Sequence, residues 1–210
     1  MTKTEVANLA LSRLGASLII RLGDDTLPGS KEADLLYDPT LEEVLREFPW
    51  SFAEREADLA QLSTAETAHF NYSFQLPADC VRFLTLQTDY RDLPKNEFRR
   101  TGSKIHCDAS TARVSYITSD LEPDDYDPDF RNAFVTLLAS NLATPLLQSP
   151  NMAQALKDEY FRVALPKAKT VDGRETDAKE NHGIAKSITT SPFVQARYVR
   201  RGRYIPRSSS

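Results

Sequence analysis

Two clusters of carboxylates hold the residue types of hydrolytic chemistry. Glu42, Glu43 and Glu47 form the first, and Asp120, Glu122, Asp124, Asp125 and Asp127 the second. Glycoside hydrolysis needs one protonated and one ionised carboxyl facing each other across the scissile bond. The spacing argues for a plainer role. The glutamates are interleaved with Leu41, Val44, Leu45 and Phe48, which recur at i, i+3, i+4 and i+7, so they occupy the wet side of an amphipathic helix. The aspartates lead into a helix start, where the exposed backbone N–H groups favour negative charge. His69, His106 and His182 lack partners at metal-ligand spacing, and the adjacent His106 and Cys107 point to opposite faces of a strand. Seven glycines make neither a phosphate-binding loop nor a nucleophile elbow. The expectation is a chain with no catalytic residues, no metal and no cofactor, with hydrolysis kept as an alternative.

The strongest binding chemistry lies at the other end. From Ile184 onward there is no Asp or Glu, and Lys186, Arg197, Arg200, Arg201, Arg203 and Arg207 supply six cations. The whole chain carries −4, so residues 1–183 carry −10. Phe193, Tyr198 and Tyr204 stand among the cations. Such a stretch has too little apolar area to build a core by itself. Its guanidinium groups and rings suit docking on an acidic protein surface. Phosphate contacts and base stacking use the same residue types, so protein and DNA partners both stay open. The arm is taken as 183–210, with Phe193, Arg197, Tyr198, Arg200, Arg201, Arg203, Tyr204 and Arg207 as its contact residues.

Positioning falls to two helical stretches around a strand-rich one. A first helix over Thr4–Leu14, capped by Thr4 and stopped by Gly15, buries Val6, Leu9, Ala10 and Leu14. A second opens at Ser30 and meets Pro39, which kinks or divides it, with Asp38 as a cap for the part that follows. Pro49 ends it at Phe48 and delivers Trp50, the only tryptophan, to a different kind of structure. Phe70, Tyr72, Phe74 and Leu76 then alternate as in a half-buried strand. Cys80–Leu86, Glu97–Arg100, Ser103–Cys107 and Ala112–Thr118 complete a small antiparallel meander, with Thr101-Gly102 as a hairpin turn. Asp127-Pro128 starts the most apolar helix, lined by Phe130, Ala133, Phe134, Leu137, Leu138 and Leu142 and bent or ended by Pro145. Asn151 caps a last helix with Met152, Leu156, Tyr160 and Val163 on one face and a kink at Pro166.

The fold class is therefore α+β. A helical-bundle body spans 1–50 and 122–182, a small antiparallel sheet is inserted over 51–121, and the extended basic arm follows. No apolar run approaches the roughly 20 residues of a membrane helix. The first residues lack the apolar core and flanks of a signal peptide. Two cysteines do not make a disulfide framework, so folding in a reducing cytoplasm is the default.

Five segments, taken in order, resemble one family. NLALSRLGA and YDPTLEEVLREFPWSFAEREADLA are similar to the N-terminal half of the phage tail tubular protein A family, the head-to-tail adaptors of short-tailed phages. YSFQLPADCVRFLTL, VSYITSD and YDPDFRNAFVTLLASNLATPLLQS resemble its later strands and its Ala- and Leu-rich helix. The resemblance runs from about Asn8 to Lys169 and rests on the ordered series, since each segment by itself is core and capping chemistry. It implies a structural protein of the virion, assembled in the host cytoplasm. Such adaptors form a ring, typically of twelve copies, beneath the portal protein. The tail nozzle protein attaches below and DNA passes through the centre. It also implies that a C-terminal arm reaches to the portal. A tail-associated cell-wall hydrolase and a DNA-contacting protein using the basic arm are the alternatives.

Overall fold

Helix α1 spans Lys3–Arg13, and Thr2 caps it in place of the expected Thr4. The computed structural model describes residues 1–24, 29–62, 69–88 and 91–175. The Thr2 hydroxyl accepts from the Glu5 N–H at 3.2 Å while the Glu5 carboxylate accepts from the Thr2 N–H at 2.8 Å, a reciprocal box that starts the helix earlier. Thr4 is occupied elsewhere, accepting from the Leu22 N–H. Val6, Ala10 and Leu14 are buried as expected, joined by Ala7 and Leu11, and only Leu9 of the expected stripe is exposed.

Helix α2, Ser30–Glu47, runs unbroken through Pro39. Pro39 is exposed, as is Leu35 one turn earlier, where water can take the carbonyl that a proline cannot bond. Asp38 is thus mid-helix and pairs with Lys3 at 3.0 Å rather than capping. At the C-terminus Phe48 is extended (φ −150°, ψ 153°), as the following Pro49 requires. Trp50 is buried and its indole N–H donates to the Val44 carbonyl at 2.9 Å.

Helix α3, Pro128–Leu147, is the centre on which α1, α2 and helix α4, Pro150–Glu159, pack. Residues 133–140 are all buried, so it is enclosed on every side rather than striped. Asp127 caps it, accepting from the Asp129 N–H at 2.8 Å, and Pro145 sits inside its last turn without ending it. Ser149, not Asn151, caps α4, because Pro150 takes the first helical position. A π turn, Tyr160–Ala164, follows, in which the Leu165 N–H donates to the Tyr160 carbonyl. This wider turn precedes Pro166 and relieves the clash its ring would make in an α turn. It also rotates the face: Ala164, Leu165 and Ala168 are buried and Val163 is exposed, contrary to the expected stripe.

The strands form two antiparallel sheets instead of one meander. With β1 Glu54–Asp58, β2 Ala60–Gln61, β3 Tyr72–Gln75, β4 Cys80–Gln87, β5 Phe98–Thr101, β6 Lys104–Cys107 and β7 Arg113–Thr118, the orders are β1-β7-β4 and β2-β3-β6-β5. Leu59 carries the chain from one sheet into the other and its N–H bonds the Ala112 carbonyl. The expected hairpin is present, but its turn is Gly102-Ser103, since Thr101 pairs with Lys104. Gly102 has φ +60°, which glycine adopts without strain. Phe74, Leu86, Ile105, Cys107 and Val114 fill the space between the sheets, while Ile117 and Val81 join the helical core on the other side of β7 and β4.

Met1–Lys169 forms one unit containing both helices and sheets. A second begins at Thr170, of which residues 170–175 are described and helical.

Trp50 meets Phe130 edge-on at 5.0 Å and Phe48 at 5.3 Å. Trp50→Ala therefore removes a large buried ring and the partner of the Val44 carbonyl together. A loss of about 3–5 kcal/mol is expected in urea unfolding followed by circular dichroism. A loss below about 1 kcal/mol would mean that the junction does not hold the unit together.

Candidate functional site

Four of the eight clustered carboxylates bond the backbone or form ion pairs. Asp125 accepts from the Glu122 N–H at 3.1 Å, Asp127 caps α3, and Asp124 pairs with the Met1 ammonium group. Glu42, Glu43 and Glu47 lie exposed on α2, and Glu47 reaches Lys169 at 3.3 Å. Asp79 ties the turn before β4 to β7 by accepting from Tyr116 Oη at 3.0 Å and Thr118 Oγ1 at 2.5 Å.

One pairing was illegible in the sequence. Ser73 Oγ lies 2.8 Å from His106 Nδ1, although the residues stand 33 apart, because β3 pairs with β6 in that register. A serine beside a histidine is the start of a nucleophile constellation. Here the residues are 0% and 2% exposed, so no substrate reaches the hydroxyl, and the pair serves to satisfy two buried polar groups. Cys107, buried on the opposite strand face, and the half-buried Cys80 are free, and burial pushes both thiols up, which favours the protonated form. Among the described residues, no three His, Cys, Asp or Glu side chains gather as a metal site, and no helix is long and apolar enough to cross a membrane.

Two hollows flank the sheets. One, of about 500 Å³, is bounded by Asp58, Leu59, Phe74, Gln87, Thr111 and Arg113. The other, of about 750 Å³, is bounded by Thr88, Arg91, Asn96, Glu97, Asp108 and Ser110. Neither contains Ser73, His106 or a member of the two carboxylate clusters. The arm residues Phe193, Arg197, Tyr198, Arg200, Arg201, Arg203, Tyr204 and Arg207, with His182, lie outside the described residues.

Three tyrosine hydroxyls, those of Tyr37, Tyr126 and Tyr160, are buried with no well-formed hydrogen bond among the described residues, although those of Tyr37 and Tyr126 face each other closely enough to interact and to influence one another's ionisation. Burial pushes the Tyr126 phenol up to about 12, and those of Tyr37 and Tyr160 further still. Burial likewise raises Tyr116 to about 12, with its bond to the Asp79 carboxylate acting in the same direction.

The chain matches no protein-family model and no curated protein.

Burial of these phenols ties the stability of the fold to alkaline pH. A tyrosine in the unfolded chain ionises near pH 10, and the folded groups hold their protons longer. Their contribution is therefore complete below about pH 10 and is lost as pH rises through 12, by about 1.4 kcal/mol per pH unit for each tyrosine. Urea midpoints measured across that range should fall, with phenolate absorbance from Tyr37 and Tyr160 appearing only on unfolding. Tyr160→Phe removes an unpartnered hydroxyl and should leave stability unchanged or raise it by up to about 1 kcal/mol. A loss of that size would instead reveal a hydrogen-bonded partner.

Proposed function

We propose that the chain is a non-enzymatic head-to-tail adaptor of a phage virion, forming a ring that joins the portal to the tail nozzle around the DNA channel. The observation that carries this reading is that the segments resembling the adaptor family contact one another in the fold. Trp50 of the early segment packs on Phe130 of the late helix. Asp79 of the middle segment bonds Tyr116 and Thr118 of the strand segment. The ordered series that suggested the family is thus also a set of mutual contacts. Of the carboxylates that suggested hydrolysis, Asp124, Asp125, Asp127 and Glu47 are engaged in a cap, a backbone bond or ion pairs, and Glu42 and Glu43 lie exposed on α2, which favours the adaptor over the hydrolase.

In this reading the basic arm is the portal-facing element and the acidic body supplies a channel wall that repels DNA. Like-charge repulsion keeps the genome from adhering during passage. The DNA-contacting alternative uses the same arm cations on phosphate.

Light scattering of the purified full-length chain mixed with the portal protein of the same phage should give a complex of defined mass. Deleting residues 187–210 should weaken it at least about tenfold, or about 1.4 kcal/mol. Unchanged portal binding would remove the arm from the reading. Steeply salt-dependent binding to free DNA, with a slope reduced by Arg200→Ala and Arg201→Ala, would select the DNA-contacting alternative.

A further inference from the structure

Four strands end the two sheets, β1 and β4 in one and β2 and β5 in the other, and two of these edges carry clustered charge. Among the described residues, β1 pairs with β7 alone and β5 with β6 alone. A sheet edge presents a row of unbonded N–H and C=O groups, which is a template for another strand. The two edges differ in charge. β1 reads EREAD, with Glu54, Glu56 and Asp58 against Arg55, all exposed; Asp58 is paired with Arg113 of β7 and Glu54 accepts from Ser115 Oγ, so Glu56 is the acid with no partner among the described residues. β5 reads FRRT, with Arg99 and Arg100 both exposed and no acid.

They also sit on opposite flanks. Phe98 of β5 stacks on Phe83 of β4 at 5.5 Å, which places β5 over the strand at the far side of the first sheet from β1. β1 leads directly through Leu59 into β2, the opposite end of the second sheet from β5. One flank of the sandwich is therefore edged by an acidic strand and the other by a basic one.

We propose that β5 of one copy pairs with β1 of a second copy of this chain, joining the basic edge of one sandwich to the acidic edge of the next. Opposite charges facing each other across antiparallel strands attract, and like charges oppose pairing; Arg99 and Arg100 point to opposite faces of β5, so one of them meets the face of β1 that carries Glu54, Glu56 and Asp58. Two β1 edges repel, as do two β5 edges, so the symmetric dimer is disfavoured while the head-to-tail contact is allowed. A contact between two different patches on one subunit repeats, and closes into a ring where the rotation permits. The inference rests on the adaptor reading for the ring itself and adds the surface and the partner. The arm is not needed for it.

Charge reversal separates the cases. Glu54→Lys with Glu56→Lys makes both edges basic, and Arg99→Glu with Arg100→Glu makes both acidic. Sedimentation velocity of the full-length protein over a concentration series should show wild-type self-association. Each doubly substituted variant should require at least about tenfold more protein to associate, an expected loss of one binding contact. An equimolar mixture of the two variants, and a chain carrying all four substitutions, should both recover association, because each restores acid against base. Circular dichroism confirms that each variant is folded. Recovery on mixing distinguishes pairing from misfolding, since two misfolded chains do not restore each other. A wild-type chain that stays monomeric overturns the inference but leaves the adaptor reading to its portal-binding test. Association unaffected by either charge reversal also overturns it, and means that the charges only keep edges apart. Association and rescue without portal binding would sustain the edge pairing and count against the adaptor.

Discussion

The bond from the Trp50 indole N–H to the Val44 carbonyl is the constraint on which the unit depends. In a continuing helix that carbonyl would accept from the N–H of Phe48, four residues on. Pro49 drives Phe48 into an extended conformation, so the helical bond is not made and the carbonyl is one of the orphans of a helix end. The tryptophan that follows the proline turns back and supplies the missing donor at 2.9 Å. A single side chain thereby satisfies the end of α2 and seats its ring against Phe130 on the central helix. It also fixes the direction in which the chain leaves. The short 3₁₀ turn Ser51–Ala53 and β1 follow at once.

That exit direction decides the rest of the layering. β1 is placed where its strand partner among the described residues is β7, more than fifty residues later, with Glu54 opposite Ile117 and Asp58 opposite Arg113. β7 is thereby held between β1 and β4, with Ile117 turned into the helical core and Val114 into the space between the sheets. Asp79 locks the same strand from its other end through Tyr116 and Thr118. Two apolar cores are thus made to share one sheet, and neither sheet stands alone as an isolated hairpin, which would be marginal in water.

The helices were legible because their signals are local, and the errors follow the competition between local signals. Asp127-Pro128 capped its helix as its sequence suggested, but the same dipeptide at Asp38-Pro39 did not, because α2 had already been started at Ser30 and its core face continued through the proline. Thr2 and Thr4 were equivalent as caps until Glu5 closed the box with Thr2. The π turn before Pro166 has no sequence period, so Val163 was placed on the wrong face. The strands themselves were visible in the alternation of residues 70–76, whereas their division into two sheets was not. Pairing such as Glu54 with Ile117 depends on where the helices deliver the chain, which no local window contains. The Ser73–His106 contact was hidden for the same reason, and the arm's contact residues were chosen from composition and charge alone.

What the interior leaves undone has to be done at the surface. Ser73 and His106 are enclosed, Cys107 is buried and Cys80 half-buried, and Asp125 and Asp127 bond the backbone. The charge of −10 over residues 1–183 against six cations after them favours contact between the arm and bodies of this kind. At physiological salt such attraction fades over about 8 Å, so charge brings surfaces together without choosing their register. Register requires directional groups. Free strand edges supply backbone donors and acceptors, and the rings of Phe193, Tyr198 and Tyr204 supply shape. In the adaptor reading these are separable tasks. A body that repeats head-to-tail sets the assembly, and an arm linked to each copy engages the partner many times at once, so that modest single contacts combine into firm attachment.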